Sequence, residues 1–490
     1  MIRSSWLKDL LLLTLITSLF FGAFLGTRNL SAPDELRYSE IPREMMVNHD
    51  YVIPRINGVK YFEKPPLFYW MQVASIKTFG LNEWGLRFAT AFMGVLGVLA
   101  TYLFTRRLYD RKTGWIAALI LSSMSLYFGM AHVITLDMTV SVFITMSIYL
   151  FYLATRASRK NIKYYMWGAF VAAAGAMMTK GLIGIIFPGA IAGLWFLIFQ
   201  RWRILTQLYF VSGLLIFIAL VAPWHILAQL QAPEFLNFYF IEQQFLRYAT
   251  PIAHRNQFPL FYVPVILLGT LPWIYFLPKA LWAIKQVRWN NRFQFENELF
   301  FIAWFLFVFL FFSASNSELI PYILPAFPPL AILIAHYLRA RMKQVVIIYL
   351  IASVIFIAAV TRVDYFDDHT IKPLVLFVKQ HSQPNDEVVA YHHYHQDLPY
   401  YLQRIITVNE SFDELSFGMG HEDTTQWMIQ ESEFEKRWKS KRTVYMFISE
   451  RKYQVFISAY PQNKGWIVAR NKNDLVVVNH LNSTLPQDVT

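Results

Sequence analysis

The sequence predicts an all-α polytopic membrane domain of about eleven transmembrane helices, followed by a small C-terminal α/β domain. Three observations carry that expectation. Of 490 residues, 56% are hydrophobic and only 16% charged, where a soluble globular protein is nearer a quarter charged. The apolar residues come in runs of roughly 18 to 20, enough to cross a ~30 Å hydrocarbon core as helices and lacking the alternation of barrel strands. From about Val363 the chain turns polar, with short β-branched runs. The net charge of +12 lies in loops between the apolar runs, so it is not a nucleic-acid signature. The absence of cysteine excludes disulfides, thiol catalysis and thiolate metal sites.

The candidate spans lie at about 9–27, 88–105, 114–131, 138–155, 164–178, 182–199, 206–224, 260–278, 298–313, 323–338 and 344–361. The first is longer than a usual signal-peptide core and no small-x-small site precedes the following loop, so it reads as a retained helix. Lys and Arg in short loops set orientation. Arg106, Arg107, Arg111 and Lys112, then Arg156 to Lys163, Arg201 and Arg203, Lys279 to Arg292, and Arg339 to Lys343 all fall on one face, which should be cytoplasmic. The opposite, periplasmic face of a bacterial inner membrane then carries the long first loop, Asp137, the 225–259 loop, the Ser313–Pro325 connection and the tail. The break at Thr179-Lys180-Gly181 leaves a lysine on the face the charge rule disfavours.

Two domains follow: 1–362, with a first periplasmic loop at 28–85 bearing juxtamembrane helices, and 363–490. In the tail, Glu387–Ala390, Thr443–Ile448, Gln454–Ser458 and Leu475–Val478 read as strands. The Tyr391-His392-His393-Tyr394-His395 run reads as polar side chains at a strand end, because adjacent strand positions point opposite ways.

Chemistry is sought in the first loop, Arg28 to Asn82. It holds Asp34, Glu35, Glu40, Glu44, Asp50 and Glu63 beside apolar bilayer segments, where charge is costly and usually functional. Asp34 follows Pro33 directly after the first span; it either caps a helix running through Tyr38 to Met46 or serves as a mounted carboxylate, and both can hold. In Glu63-Lys64-Pro65-Pro66 two prolines stiffen the chain behind an acid–base pair, so Lys64 could meet a lipid phosphate or simply snorkel. His132 and Asp137 lie in a short loop, and Asp137 opens a span as cap or as functional acid. His225, Glu242, Arg247, His254 and Arg255 precede Glu318 and Tyr322 of P-Y-I-L-P. Arg247 offers a fork for phosphate oxygens, and Tyr322 an interfacial hydroxyl or a belt aromatic. Together, on one membrane face above apolar helices, these residues point to an enzyme that handles a lipid phosphate. No P-loop or G-x-G-x-x-G follows a strand, which argues against a nucleotide-sugar donor.

The blocks A-P-D-E-L-R-Y-S-E-I-P-R-E-M and P-R-I-N-G-V-K-Y-F-E-K-P-P-L-F-Y-W resemble those of bacterial lipid A aminoarabinose transferases, which sit with protein O-mannosyltransferases among the GT-C glycosyltransferases. T-L-D (Thr135 to Asp137), T-K-G (Thr179 to Gly181), A-P-W (Ala222 to Trp224), P-Y-I-L-P and Q-D-L-P-Y-Y-L (Gln396 to Leu402) recur in the same order. The resemblance implies inverting transfer of a sugar from undecaprenyl phosphate to lipid A or another envelope acceptor. It implies Asp34 and Asp137 as catalytic carboxylates, and Arg37, Tyr61, Lys64, Arg247 and Tyr322 as contacts to the donor phosphate and lipid. It also admits a divalent metal (Zn, or Mg/Mn) on Glu63; relatives often carry Glu-His where this chain has Gln243-Gln244, which leaves His254 as the nearest second ligand. Relatives are also longer, with thirteen spans in the aminoarabinose enzymes. The alternatives are transfer to protein hydroxyls, or a lipid-linked-sugar carrier without chemistry. A carrier should show paired pseudo-symmetric halves, which are not visible, and has no need of Asp34.

Overall fold

The computed structural model describes residues 3–250, 255, 257–282, 285, 287–362, 370–411, 414–461 and 465–481. By its contacts the chain forms two units, Met1–Arg28 with Phe62–Thr361, and Asn29–Tyr61 with Arg362–Thr490. The tail begins near the residue at which composition changes. The stretch 29–61, grouped with the membrane domain on sequence, belongs instead with the tail.

The first unit is helical. Among the described residues, six of its helices are long and apolar enough to cross a membrane, or up to eight if two bent pairs each count as one span. The bends lie between Arg111–Ser122 and Ser125–Ala131, at 67°, and between Tyr262–Gly269 and Trp273–Trp282, at 105°. Asn82 and Asp110 start the helices Glu83–Leu108 and Arg111–Ser122 by accepting the backbone N–H of Gly85 and Thr113. Ala169, Ala172, Ala173 and Ala176 are buried on the helix Ile162–Lys180. Such small side chains let helices approach closely in an apolar solvent, and Ser147 of Leu136–Ala154 donates across to the carbonyl of Ala169 at 2.8 Å. Two of the buried acids of the apolar unit are paired with arginines. Asp9 meets Arg106 at 2.8 Å and Arg111 at 2.5 Å, and Glu296 meets Arg156 and Arg201, each at 3.1 Å. Pairing of this kind is the condition on which charge stays in such surroundings.

The second unit holds a hairpin of β1 (Arg55–Ile56) and β2 (Val59–Lys60), and a six-stranded sheet. Its strands are β3 (Glu387–Tyr391), β4 (Thr407–Asn409), β5 (Met428–Ile429), β6 (Val444–Ser449), β7 (Trp466–Arg470) and β8 (Asp474–Val478), in spatial order β5-β4-β3-β6-β8-β7. The first four run parallel and β8 and β7 close the sheet antiparallel. β3, β6 and β8 carry the expected runs. Gln454–Ser458, expected as a strand, is instead part of the helix Glu450–Ala459. Tyr453 and Phe456, three apart, are its buried face, so the short run belongs to the helical period.

Also in this unit is the helix Asp34–Asn48, buried from Glu35 to Met45 although five of those residues are charged and two more carry hydroxyls. Local pairing makes that tenable. Arg43 donates to Glu40 at 2.5 and 2.6 Å, Glu44 accepts the N–H of Gly58 at 3.1 Å, and the Ser39 hydroxyl donates to the carbonyl of Glu35 at 2.5 Å. Asn57 then fixes the hairpin to β4 by two bonds, donating to the carbonyl of Ile406 at 3.1 Å and accepting its N–H at 2.9 Å.

Candidate functional site

In the membrane unit the sequence candidates gather around one cavity. Lys64, Lys180 and Arg247 line it together with Gln243, Gln244, Tyr322 and the apolar Leu182, Ile183, Ile186, Phe245, Phe311 and Phe312. Its lining holds three cations and no carboxylate. Each cation is placed by a local reason. Lys64 follows the turn into the helix Leu67–Phe79, and its ammonium donates to the carbonyl of Glu63 at 2.8 Å. Arg247 ends a ten-residue π-helical stretch, Asn237–Leu246, an uncommon geometry often found at functional sites. Its Nη1 donates to Glu63 at 2.9 Å and to the Gln243 side-chain oxygen at 2.8 Å. Lys180 closes the helix Ile162–Lys180, pairs with Asp137 at the start of Leu136–Ala154, and stands 3.9 Å from the ring centre of Tyr322. Gly181 makes this corner feasible: its φ is +101°, and a Cβ there would lie 2.6 Å from the Gln244 amide and 2.7 Å from the Tyr239 hydroxyl.

Burial holds the Lys64 ammonium well below the ordinary lysine range, and Arg247, Lys180 and Arg255 add repulsion that Glu63 only partly offsets. The cavity thus concentrates positive charge at a polar end beside apolar walls.

The other candidates lie in the second unit. Asp34 is the first residue of its helix, and Pro33 holds the cap position before it. The capping alternative is thereby set aside. The entry turn is closed by Glu35, which accepts the N–H of Ser31 at 2.9 Å, while Asp34 accepts from Arg37 Nη1 at 2.9 Å and stays half exposed. The other edge of the Arg37 guanidinium lies against Glu414. Nη1 and Nε of that guanidinium therefore both face carboxylates. Tyr61 is buried in the same unit and contributes to the electrostatic surroundings of Arg37.

His132 and His225 each turn Nδ1 to the carbonyl four residues earlier and pack against aromatic rings. His254 lies outside the described residues. A metal on Glu63 finds little support in the groups around it, because the Glu63 carboxylate already faces the Arg247 cation. Among the described residues the group with metal-ligand spacing is elsewhere: His392, Glu410 and Glu431, at the ends of the parallel strands, with ligand atoms within 4.8 Å of one another. The histidine run supplies one of these residues; Glu410 directly follows β4, and Glu431 opens the helix Glu431–Trp438 after β5.

Two residues of these clusters had no role on sequence. Lys180 left a signal, a lysine on the face the charge rule disfavours. Glu414 left none.

A helical membrane unit with a cation-lined, apolar-walled cavity, joined to an α/β unit that braces an acidic helix, is the architecture of a polytopic GT-C membrane protein. The family model for dolichyl-phosphate-mannose-protein mannosyltransferase matches residues 63–227, and that for the aminoarabinose transferase C-terminal domain matches residues 374–479. Undecaprenyl phosphate-alpha-4-amino-4-deoxy-L-arabinose arabinosyl transferase of Erwinia tasmaniensis is 34% identical over 330 residues, 67% of this chain and 59% of the relative. A Pseudomonas fluorescens protein of the same name, numbered 2, is 33% identical over 68% of this chain and 60% of its own length. The matches thus span about three-fifths of the length of these curated relatives. ArnT from Cupriavidus metallidurans, solved bound to undecaprenyl phosphate, superposes with a TM-score of 0.87 at 25% identity, over 99% of this chain and 100% of that one. An archaeal oligosaccharyltransferase from Archaeoglobus fulgidus shares the fold alone, with a TM-score of 0.56 over 93% of this chain and 71% of that one, at 13% identity. The chain belongs to the aminoarabinose-transferase-like GT-C family.

Proposed function

We propose that this chain is an inverting glycosyltransferase that moves a sugar, 4-amino-4-deoxy-L-arabinose or a related aminosugar or hexose, from undecaprenyl phosphate to lipid A. The observation that carries this reading is the cavity whose polar end is lined by Lys64, Lys180 and Arg247 and whose walls are Leu, Ile and Phe. A polyprenyl phosphate has that polarity along its length. The relatives' names, and the undecaprenyl phosphate bound to the Cupriavidus protein, supply the donor class. The lipid A acceptor comes from the resemblance of the first-loop blocks.

In the transfer the acceptor oxygen bonds to the anomeric carbon as the carbon–oxygen bond to phosphate breaks. The electron pair goes to the phosphate. The cavity cations are fixed where that charge grows, which is how a preorganised site lowers such a barrier. Tyr322 holds the Lys180 ammonium over its ring, and Asp137 holds it from the other side. Asp34 supplies the exposed carboxylate. With a phosphate acceptor, already ionised at neutral pH, it orients the acceptor or stabilises positive charge at the anomeric carbon; with a hydroxyl acceptor it takes the proton. No step of the proposal runs through a metal.

The orientation proposed is an active face and C-terminus in the periplasm, with the arginine-rich loops in the cytoplasm. The proposed eleven spans add the helices Arg3–Gly22, Ile162–Lys180 and Ile183–Phe199 to the eight obtained by joining the bent pairs.

The test is mass spectrometry of lipid A from cells with and without the gene. Aminoarabinose-sized additions should vanish on deletion, return with the wild-type chain, and stay absent with Asp34→Asn at equal expression. Unchanged lipid A refutes the acceptor. A second reading, transfer to protein hydroxyls, is favoured by the mannosyltransferase model match over residues 63–227 and would appear as a lost protein-bound hexose.

A further inference from the structure

The Asp34–Asn48 helix and the tail share a chain of polar side chains that the proposed reaction does not by itself require. Arg37 donates through Nη1 to Asp34 Oδ1 at 2.9 Å. Its Nε edge lies on one oxygen of Glu414. The second oxygen of Glu414 accepts from the Gln396 side-chain amide at 2.7 Å. Exposure falls steeply along the row: the side chain of Asp34 is 49% exposed, that of Arg37 11% and that of Glu414 9%. Gln396 opens the Q-D-L-P-Y-Y-L block, whose helix, Asp397–Leu402, lies against Asp34–Asn48 within the same unit. The donor-side argument leaves that block without a role.

We propose that Glu414, braced by Gln396, is a positioning residue that holds the Arg37 guanidinium, and through it Asp34, in the orientation used for transfer. The inference rests on the transferase reading above. An i, i+3 contact between Arg37 and a half-exposed aspartate leaves the long arginine side chain several rotamers. A guanidinium is planar, so a buried carboxylate held in ionic contact with Nε restricts the direction of Nη1 as well.

The experiment is donor-to-acceptor transfer by the full-length protein in membranes, expressed per amount of folded protein, for wild type, Asp34→Asn, Glu414→Gln, Glu414→Asp and Gln396→Ala. Glu414→Gln should lower kcat by about tenfold, the order expected for a misaimed catalytic group, with the donor KM unchanged. Glu414→Asp should recover most of that kcat, and Gln396→Ala should lower it in the same direction as Glu414→Gln but less. A wild-type kcat in Glu414→Gln, or a loss that Glu414→Asp does not recover, overturns the proposal. If Glu414→Gln does not fold, Gln396→Ala is read by the same criterion. Wild-type transfer by Asp34→Asn is a separate outcome: it removes Asp34 from the chemistry and overturns the transferase role assigned to it, whatever Glu414 does.

Discussion

Lys180→Met is the most informative single substitution, because the ammonium serves two neighbours at once. It faces the Asp137 carboxylate with 13% and 11% of the two side chains exposed, lines the cavity, and lies over Tyr322. Removing one member of a buried pair leaves an uncompensated charge and costs about 3–5 kcal/mol. The variant should therefore lose thermal stability, and Asp137→Asn added to it should restore most of that loss. Donor binding should behave differently. A charge-assisted contact to a phosphate oxygen is worth about 1.5–3 kcal/mol, so binding should weaken about 10- to 150-fold in Lys180→Met and stay weak in the double variant. The assay is equilibrium binding of radiolabelled undecaprenyl phosphate to purified protein, with a melting curve on the same samples. Binding that recovers along with stability would mean that Lys180 only neutralises Asp137, and would refute its place on the donor phosphate.

Other outcomes follow from the same geometry. Lys64→Met should cut turnover about tenfold or more. In the wild type, donor affinity should fall as pH rises through the lowered Lys64 pKa, because the protonated form binds the phosphate and is lost there; in Lys64→Met a binding titration should lack that fall. Arg247→Lys keeps the charge and loses the fork shared by Glu63 and Gln243, so it should bind donor roughly tenfold more weakly. The Glu44 carboxyl is pushed by burial from 4.5 up to about 8. The native state then binds the extra proton between those values, so its contribution to stability is present at acid pH and lost as pH rises through that window; Glu44→Gln should flatten melting temperature against pH there. Alkaline phosphatase fused after Arg362 should be active and after Lys160 silent; the reverse at Arg362 would break the proposed orientation.

Composition and run length determined the class of this protein. Apolar runs of membrane length leave few alternatives to helices, since backbone groups in lipid must be satisfied within the segment. The change of character near Arg362 likewise marked the tail domain, because a chain that folds in water needs polar residues between short buried runs. The first-loop blocks marked Asp34 and Lys64 as candidates before any geometry was known. Sequence could not say that residues 29–61 fold with the tail, since that depends on long-range bonds such as Asn57 with Ile406. Nor could it say that Gln454–Ser458 is helical, because a five-residue apolar run has no decisive period. Asp137 looked unpaired because its cation comes from the far end of the next helix, where the glycine turn after Lys180 delivers it. The resemblance placed Arg37 at the donor phosphate, and nothing in the local sequence shows that its Nε also meets Glu414, far along the chain. Local patterns fix what a residue is able to do; which charges meet is decided by packing, because a buried charge settles only where an opposite one has been brought to it.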